Sequence, residues 1–146
     1  MRTTDPLRSY RQVATQTAPP GQLVLMLYEG AIRFLERALD GFRHEDPAAF
    51  NETISNNILR AQAILHELNV SLNMEAGGEF SATMRRLYDY LDRRLLDSNL
   101  RKDDAGIRET INRLTALRDA WSAMLNGDGP ALAAGTPKLG AQLVAA

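Results

Sequence analysis

The chain has 146 residues, a net charge of -1, 45% hydrophobic and 24% charged residues, and no cysteine. A chain of this length is most simply one domain, burying roughly 70% of its unfolded surface on folding. The near-neutral charge removes any bulk pull toward nucleic acid or an anionic membrane, and the missing cysteine excludes disulfides, zinc–thiolate sites and thiol catalysis.

The N-terminus, Met1-Arg2-Thr3-Thr4-Asp5-Pro6, lacks the apolar run of a signal peptide. No stretch approaches the ~20 apolar residues that cross a bilayer. A soluble cytoplasmic protein without membrane insertion is expected. Residues 1–18 are polar apart from Leu7, Tyr10 and Val13, spaced three apart, which suits a turn or two of amphipathic helix. So short a helix forms only when packed on something. Pro19-Pro20-Gly21 then breaks the chain, making 1–18 an arm that can dock or lift.

Pro20 lies where the first position of the next helix would be. From Leu23 to Phe42, one apolar stripe runs through Leu27, Ala31, Phe34 and Ala38, and a second through Val24, Tyr28, Leu35 and Leu39. Met26 and Ile32 fall on further faces, so the first turns are apolar nearly all round. This helix reads as the hub of a bundle. Gly30 sits mid-helix at a cost of roughly 1 kcal/mol relative to alanine, and its missing Cβ suits close approach by a neighbouring or incoming helix.

The hub should end near Gly41 to His44, and Asp46-Pro47 supplies an N-cap acceptor followed by a proline at the first helical position. Phe50, Ile54, Ile58, Ala61, Leu65, Leu68 and Leu72 then form a packing seam. Asn73 to Gly78, with its paired glycines, predicts a loop. A third helix follows from Glu79 or Phe80, with Phe80, Met84, Leu87, Leu91, Leu95 and Ser98 on one face. Arg85, Asp89, Arg93 and Asp97 predict an ion-pair ladder on its outer face. Asn99 to Lys102 predicts a turn, and Asp103 or Asp104 caps a fourth helix bearing Ile107, Ile111, Leu114, Leu117, Trp121 and Met124 or Leu125. From Asn126 onward, glycine, proline and alanine dominate, as in a flexible tail. The expected fold is all-α: an antiparallel up-down-up-down four-helix bundle (19–125) with a short N-terminal helical arm (1–18) and a flexible C-terminal tail (126–146).

Catalytic chemistry finds little support. Bundle di-iron sites need Glu-x-x-His pairs, but the residues three before His44 and His66 are Gly41 and Ala63. No phosphate loop or nucleophile elbow occurs, and helix pairs and caps account for Asp89, Asp92, Asp103 and Asp104. Neither an enzyme nor a cofactor is expected. Acids interleave with Arg85-Arg86 and Arg93-Arg94, breaking up the basic stripe that nucleic acid requires. What remains is apolar excess. The hub has more greasy faces than three neighbours need, so a groove for a partner's amphipathic segment, covered by the arm when empty, is one reading. A self-associating structural or adaptor bundle is the alternative.

Several pieces, in order, resemble the FliS family of flagellar export chaperones. They are Tyr10 with Val13-Ala14-Thr15 and the Pro20 break; Leu27-Tyr28-Glu29-Gly30-Ala31-Ile32-Arg33-Phe34-Leu35; and Ala61-Gln62 through Glu67-Leu68 to Ser71-Leu72. Gly77-Gly78, Leu87-Tyr88-Asp89-Tyr90, Asn99 and Leu117-Arg118-Asp119-Ala120-Trp121 complete the set. Glu29, where aspartate is commoner, Pro19-Pro20-Gly21 and the Ala/Gly-rich tail depart from the pattern. The resemblance implies a cytoplasmic chaperone, monomer or weak homodimer, that binds the C-terminal segment of flagellin, prevents premature polymerisation and delivers it to the flagellar type III export apparatus. It also implies an arm that lies over the binding site, with Leu7 and Tyr10 at the matching positions. The expected partner-binding residues are Leu7, Tyr10, Val13, Tyr28, Gly30, Ile58, Ala61 and Leu65.

Overall fold

A computed structural model describes residues 20–127. The leading arm and the tail beyond Gly127 lie outside the described residues. Four helices make up the fold: α1 (Pro20–Gly41), α2 (Pro47–Val70), α3 (Met74–Arg101) and α4 (Ala105–Leu125). They form a ring in which α1 packs on α2 and α4, and α3 packs on α2 and α4. Ser55 Oγ donates to Asn99 Oδ1 at 2.8 Å, and Asn69 Nδ2 donates to Asp89 Oδ1 at 2.9 Å. Numbers rising along α2 thus meet numbers falling along α3. Trp121 Nε1, near the end of α4, donates to the Gly21 carbonyl at the start of α1 at 2.7 Å. The neighbours are antiparallel.

Local chemistry sets the helix boundaries. Pro20 opens α1 without wasting a donor, because the first amides of a helix have no internal partner. The Asp46 side chain accepts from Ala49 N at 2.9 Å and Pro47 follows at the first position, so α2 starts as its sequence predicts. The predicted loop over Asn73 to Gly78 is corrected. Asn73 caps a helix that already begins at Met74, and only Gly78, at φ 54° and ψ -128°, departs from helical geometry. A side chain could not adopt that conformation cheaply, so glycine turns the chain into a kink rather than a loop. Ser81 Oγ closes the kink by donating to the Asn73 carbonyl at 2.9 Å.

The predicted turn at Asn99 to Lys102 shrinks to its last residue, since α3 runs on to Arg101. Lys102 is left-handed, with φ and ψ both 52°, at a cost of about 1–2 kcal/mol for a residue with a Cβ. Its ammonium offsets that strain by donating to the Asn99 carbonyl at 2.7 Å, Asn99 Oδ1 at 2.7 Å and Ser55 Oγ at 3.2 Å. Asp103 Oδ1 then accepts from Ala105 N at 2.8 Å, while Asp104 turns to Arg108.

The ion-pair ladder expected along α3 is absent from the described contacts. Arg85 reaches instead to Asn69 of α2, donating to its Oδ1 at 2.9 Å and its carbonyl at 3.2 Å. Asp89 takes the Asn69 amide, and Asp97 pairs with Arg101 at 2.8 Å. Two reasons favour this arrangement. Arginine preceding an acid by one turn is the weaker order for a helix pair. The carbonyl at the end of α2 also carries the negative end of the helix dipole, which attracts the Arg85 guanidinium.

Inside, Leu35, Ala38, Ile54, Ile58, Ala61, Ile64, Leu91, Leu95, Ile107 and Leu114 are wholly buried. Tyr28 of α1 and Tyr88 of α3 reach across the diagonal of the ring, and their hydroxyls meet at 2.7 Å. Burial pushes the Tyr28 phenol up to about 12, and the Tyr88 phenol well above its usual 10.0, with the neighbouring Tyr28 adding to that rise. A phenolate in so dry a place costs too much to form.

Close packing of α3 on α4 depends on Gly106, where a Cβ would sit 2.5 Å from the Arg94 carbonyl oxygen and 2.5 Å from Ser98 Oγ. Gly106→Ala is therefore expected to destabilise the bundle by about 1–3 kcal/mol, read from urea denaturation; an unchanged midpoint would refute the tight contact. Tyr28→Phe and Tyr88→Phe each strip a buried hydroxyl of its partner and should each cost about 1–3 kcal/mol, while the double variant costs less than the sum of the two. The folded-state phenols bind protons more tightly than the unfolded chain does. Stability should therefore hold up to pH 10 and decline as pH rises through about 12, with a smaller decline in the double variant. Denaturation curves collected across that range check both statements.

Candidate partner-binding surface

With its centre filled by side chains, the bundle has only its surface to offer a partner. Of the residues expected to bind one, Leu7, Tyr10 and Val13 lie outside the described residues. The rest are interior. Ile58 and Ala61 are 0% exposed, Leu65 2% and Tyr28 1%, and Gly30 is buried as well. Ile58, Ala61 and Leu65 follow one another along the inner stripe of α2, and Tyr28 joins them only in the sense that all face the same core. The structure thus gathers them beneath the surface rather than at it.

Apolar side chains that sequence spacing did not single out reach the surface instead. Leu59 on α2, with Leu96 and Leu100 on α3, are exposed, Leu100 most of all at 77%. Leu96 and Leu100 are one turn apart, so they share a face of α3. Along α1 and α4, Leu23, Leu25, Leu117, Met124 and Leu125 are only partly covered while packing on the core. Partly covered side chains of this kind can take more apolar contact without any helix moving.

The polar surroundings fix helix positions more than they suggest chemistry. Glu109 of α4 receives Arg94 Nε at 2.8 Å on one oxygen and the Tyr90 hydroxyl at 2.7 Å on the other. The Arg94 hydrogen bond, then the Tyr90 one, holds the Glu109 carboxyl below its usual 4.5, so it stays charged and clasps α3 to α4. Between α2 and α3, a cavity of about 100 Å³ is lined by Leu65, His66, Asn69, Tyr88, Asp89 and Asp92. His66 is exposed, as is His44 in the turn after α1. Among the described residues, no three His, Asp or Glu side chains gather in metal-binding geometry, and no helix is long and apolar enough to cross a membrane.

Comparison with known proteins places the chain in a family. Residues 3–128 match the family model described as flagellar protein FliS. The chain is 36% identical over 124 residues to the flagellar secretion chaperone FliS of Bacillus subtilis, covering 85% of this chain and 89% of that protein. It is 37% identical over 125 residues to the protein of the same name from Salmonella typhimurium, covering 83% and 90%. The Campylobacter jejuni flagellar secretion chaperone FliS is 33% identical over 120 residues, covering 82% and 91%. The order of sequence motifs, the four-helix ring and these matches agree, and the chain belongs to the FliS family of flagellar proteins.

Proposed function

We propose that this protein is a cytoplasmic export chaperone that binds the C-terminal segment of flagellin, keeps it from polymerising early and hands it to the flagellar type III export apparatus. Its relatives carry the name flagellar secretion chaperone. The observation that carries the reading is the set of partly covered apolar side chains on α1 and α4, on a bundle whose interior is already closed. A bundle that needed only to be stable would gain from burying them fully.

On this reading Leu7, Tyr10 and Val13 cover those side chains when no partner is present. Gly30 allows close approach, and Tyr28, Ile58, Ala61 and Leu65 act from below, fixing the spacing of the helices that border the groove. A terminal segment that orders on binding pays ~2–5 kcal/mol for doing so. At about 25 cal/mol per Å² of apolar surface, a few hundred Å² of new contact offsets that cost. The chemistry involves no bond making, so no cofactor enters, and release follows from transfer of the segment to the next binder.

Calorimetric titration of a flagellin C-terminal peptide into the full-length chain tests this. Saturable binding with a negative heat-capacity change is expected. Tyr10→Ala should alter peptide affinity or the binding of a hydrophobic dye while leaving the melting transition of the bundle in place. Absence of binding at any peptide concentration, together with a symmetric dimer in sedimentation, would assign these apolar side chains to self-association instead.

A further inference from the structure

The edge between α1 and α2 carries an arrangement that flagellin capture does not call on. Phe34 of α1 is half-buried, and two guanidiniums lie over its ring, Arg37 at 5.5 Å and Arg60 at 5.8 Å from the centroid. Arg37 belongs to the same helix and Arg60 to α2, so the ring joins charges from two elements. Both arginines are exposed, and so is Arg33, one turn before Arg37. Among the described residues none of the three makes an ion pair, whereas Arg43, Arg94, Arg101, Arg108, Arg113 and Arg118 all do. Acids are not lacking nearby. Asp40 is three residues from Arg37, yet its carboxylate lies 4.0 Å from Arg43.

We propose that this Arg37–Phe34–Arg60 edge docks an acidic segment of a partner protein. The segment sets a glutamate or aspartate carboxylate against these guanidiniums. The cation–π contacts with Phe34 already hold both guanidiniums near the ring, which lowers the entropy lost when a carboxylate is gripped. The N–H edges not turned to the ring remain free for the two-pronged hydrogen bonding that arginine makes with carboxylates. An anion beside them also relieves the mutual repulsion of two like charges.

The surroundings favour a protein over a polyanion. Glu29, Glu36 and Asp40 punctuate the same helix, and the whole chain has a net charge of -1. Repeated phosphates of a nucleic acid or an anionic bilayer need an extended basic stripe and would meet those acids. One carboxylate needs only the clamp. This surface is independent of flagellin capture and would stand if that reading failed.

The test uses the full-length, isotope-labelled chain and a short acetylated, amidated peptide of glutamate, leucine and serine. Arginine Nε–Hε resonances of Arg37 and Arg60 should shift saturably, with weaker binding as salt rises. The counterpart peptide with glutamine in place of glutamate should leave them unmoved. The Arg37→Gln/Arg60→Gln variant should lose up to about fivefold in affinity per arginine, the ceiling for an exposed charge pair, with no change in melting. Resonances that do not move, that move equally with the glutamine peptide, or that respond more strongly to a DNA duplex or to phosphatidylglycerol vesicles would overturn the proposal. The first readout uses the unaltered chain, so a variant that folded poorly would not remove the test.

Discussion

Tyr28 and Tyr88 set the width of this bundle. Helices on the diagonal of a four-membered ring are too far apart for most side chains to touch, and these two phenols cross that gap to meet at 2.7 Å. Both rings lie among aliphatic neighbours, so their hydroxyls have little else with which to exchange hydrogen bonds. A polar pair in that position penalises any rotation of α1 or α3 that would part it, because each buried hydroxyl would then be left alone. Leucines in the same places would tolerate such slippage.

The ends of the helices take up the remaining freedom. Trp121 holds the end of α4 to the start of α1, and Lys102 joins the end of α3 to Ser55 of α2. Arg85 and Asn69 bridge α2 and α3, while Glu109 gathers Tyr90 and Arg94 between α3 and α4. Apart from the buried Trp121 indole, these contacts lie at the partly exposed edges of the helix interfaces, where an ion pair alone contributes little. Their effect is to fix register, leaving the greasy centre to supply most of the stability.

Much of this was readable from spacing, and the misses have a common cause. Asp46-Pro47 and Pro20 announced two helix starts because capping is local chemistry, decided within three or four residues. The inner stripes of α1, α2 and α4 are legible in the main, but the seam of α2 passes over the buried Ile64, and on α1 Ile32, placed on a further face, is buried while Phe34 of the main stripe is only half-buried. On α3 the stripe was drawn through Leu87, whereas Tyr88 is the residue 1% exposed and Leu87 only half-buried. Met84, Tyr88, Leu91 and Leu95 have the same four-and-three spacing, so periodicity alone could not choose, and hydrophobicity pointed to the leucine. What decided the matter was the partner hydroxyl sixty positions away. Gly77-Gly78 misled in a similar way: Asn73 is a capping residue that the paired glycines masked, and Ser81 closes the kink from eight residues on, beyond any capping rule. Arg85 and Asp89 left their helix for Asn69 of another. Leu59, Leu96 and Leu100 gave no signal at all, because residues off a stripe look like ordinary surface until a structure exposes them.

A closed core and an unfinished surface make different demands on the same helices. If a partner entered by prising the bundle open, it would first have to part Tyr28 from Tyr88 and uncover the aliphatic centre, at a cost comparable to the whole stability of a domain this size. On the proposed reading, a partner laid along α1 and α4 would meet Leu23, Leu25, Leu117 and Met124 already partly exposed, without disturbing the core beneath them. The surface of α1 and α4 thus rests on a core that does not have to yield. Ile58 and Leu65, buried in α2, can bear on such a surface only through the distance between helices, and a methylene lost there would shift the helices that carry the exposed side chains.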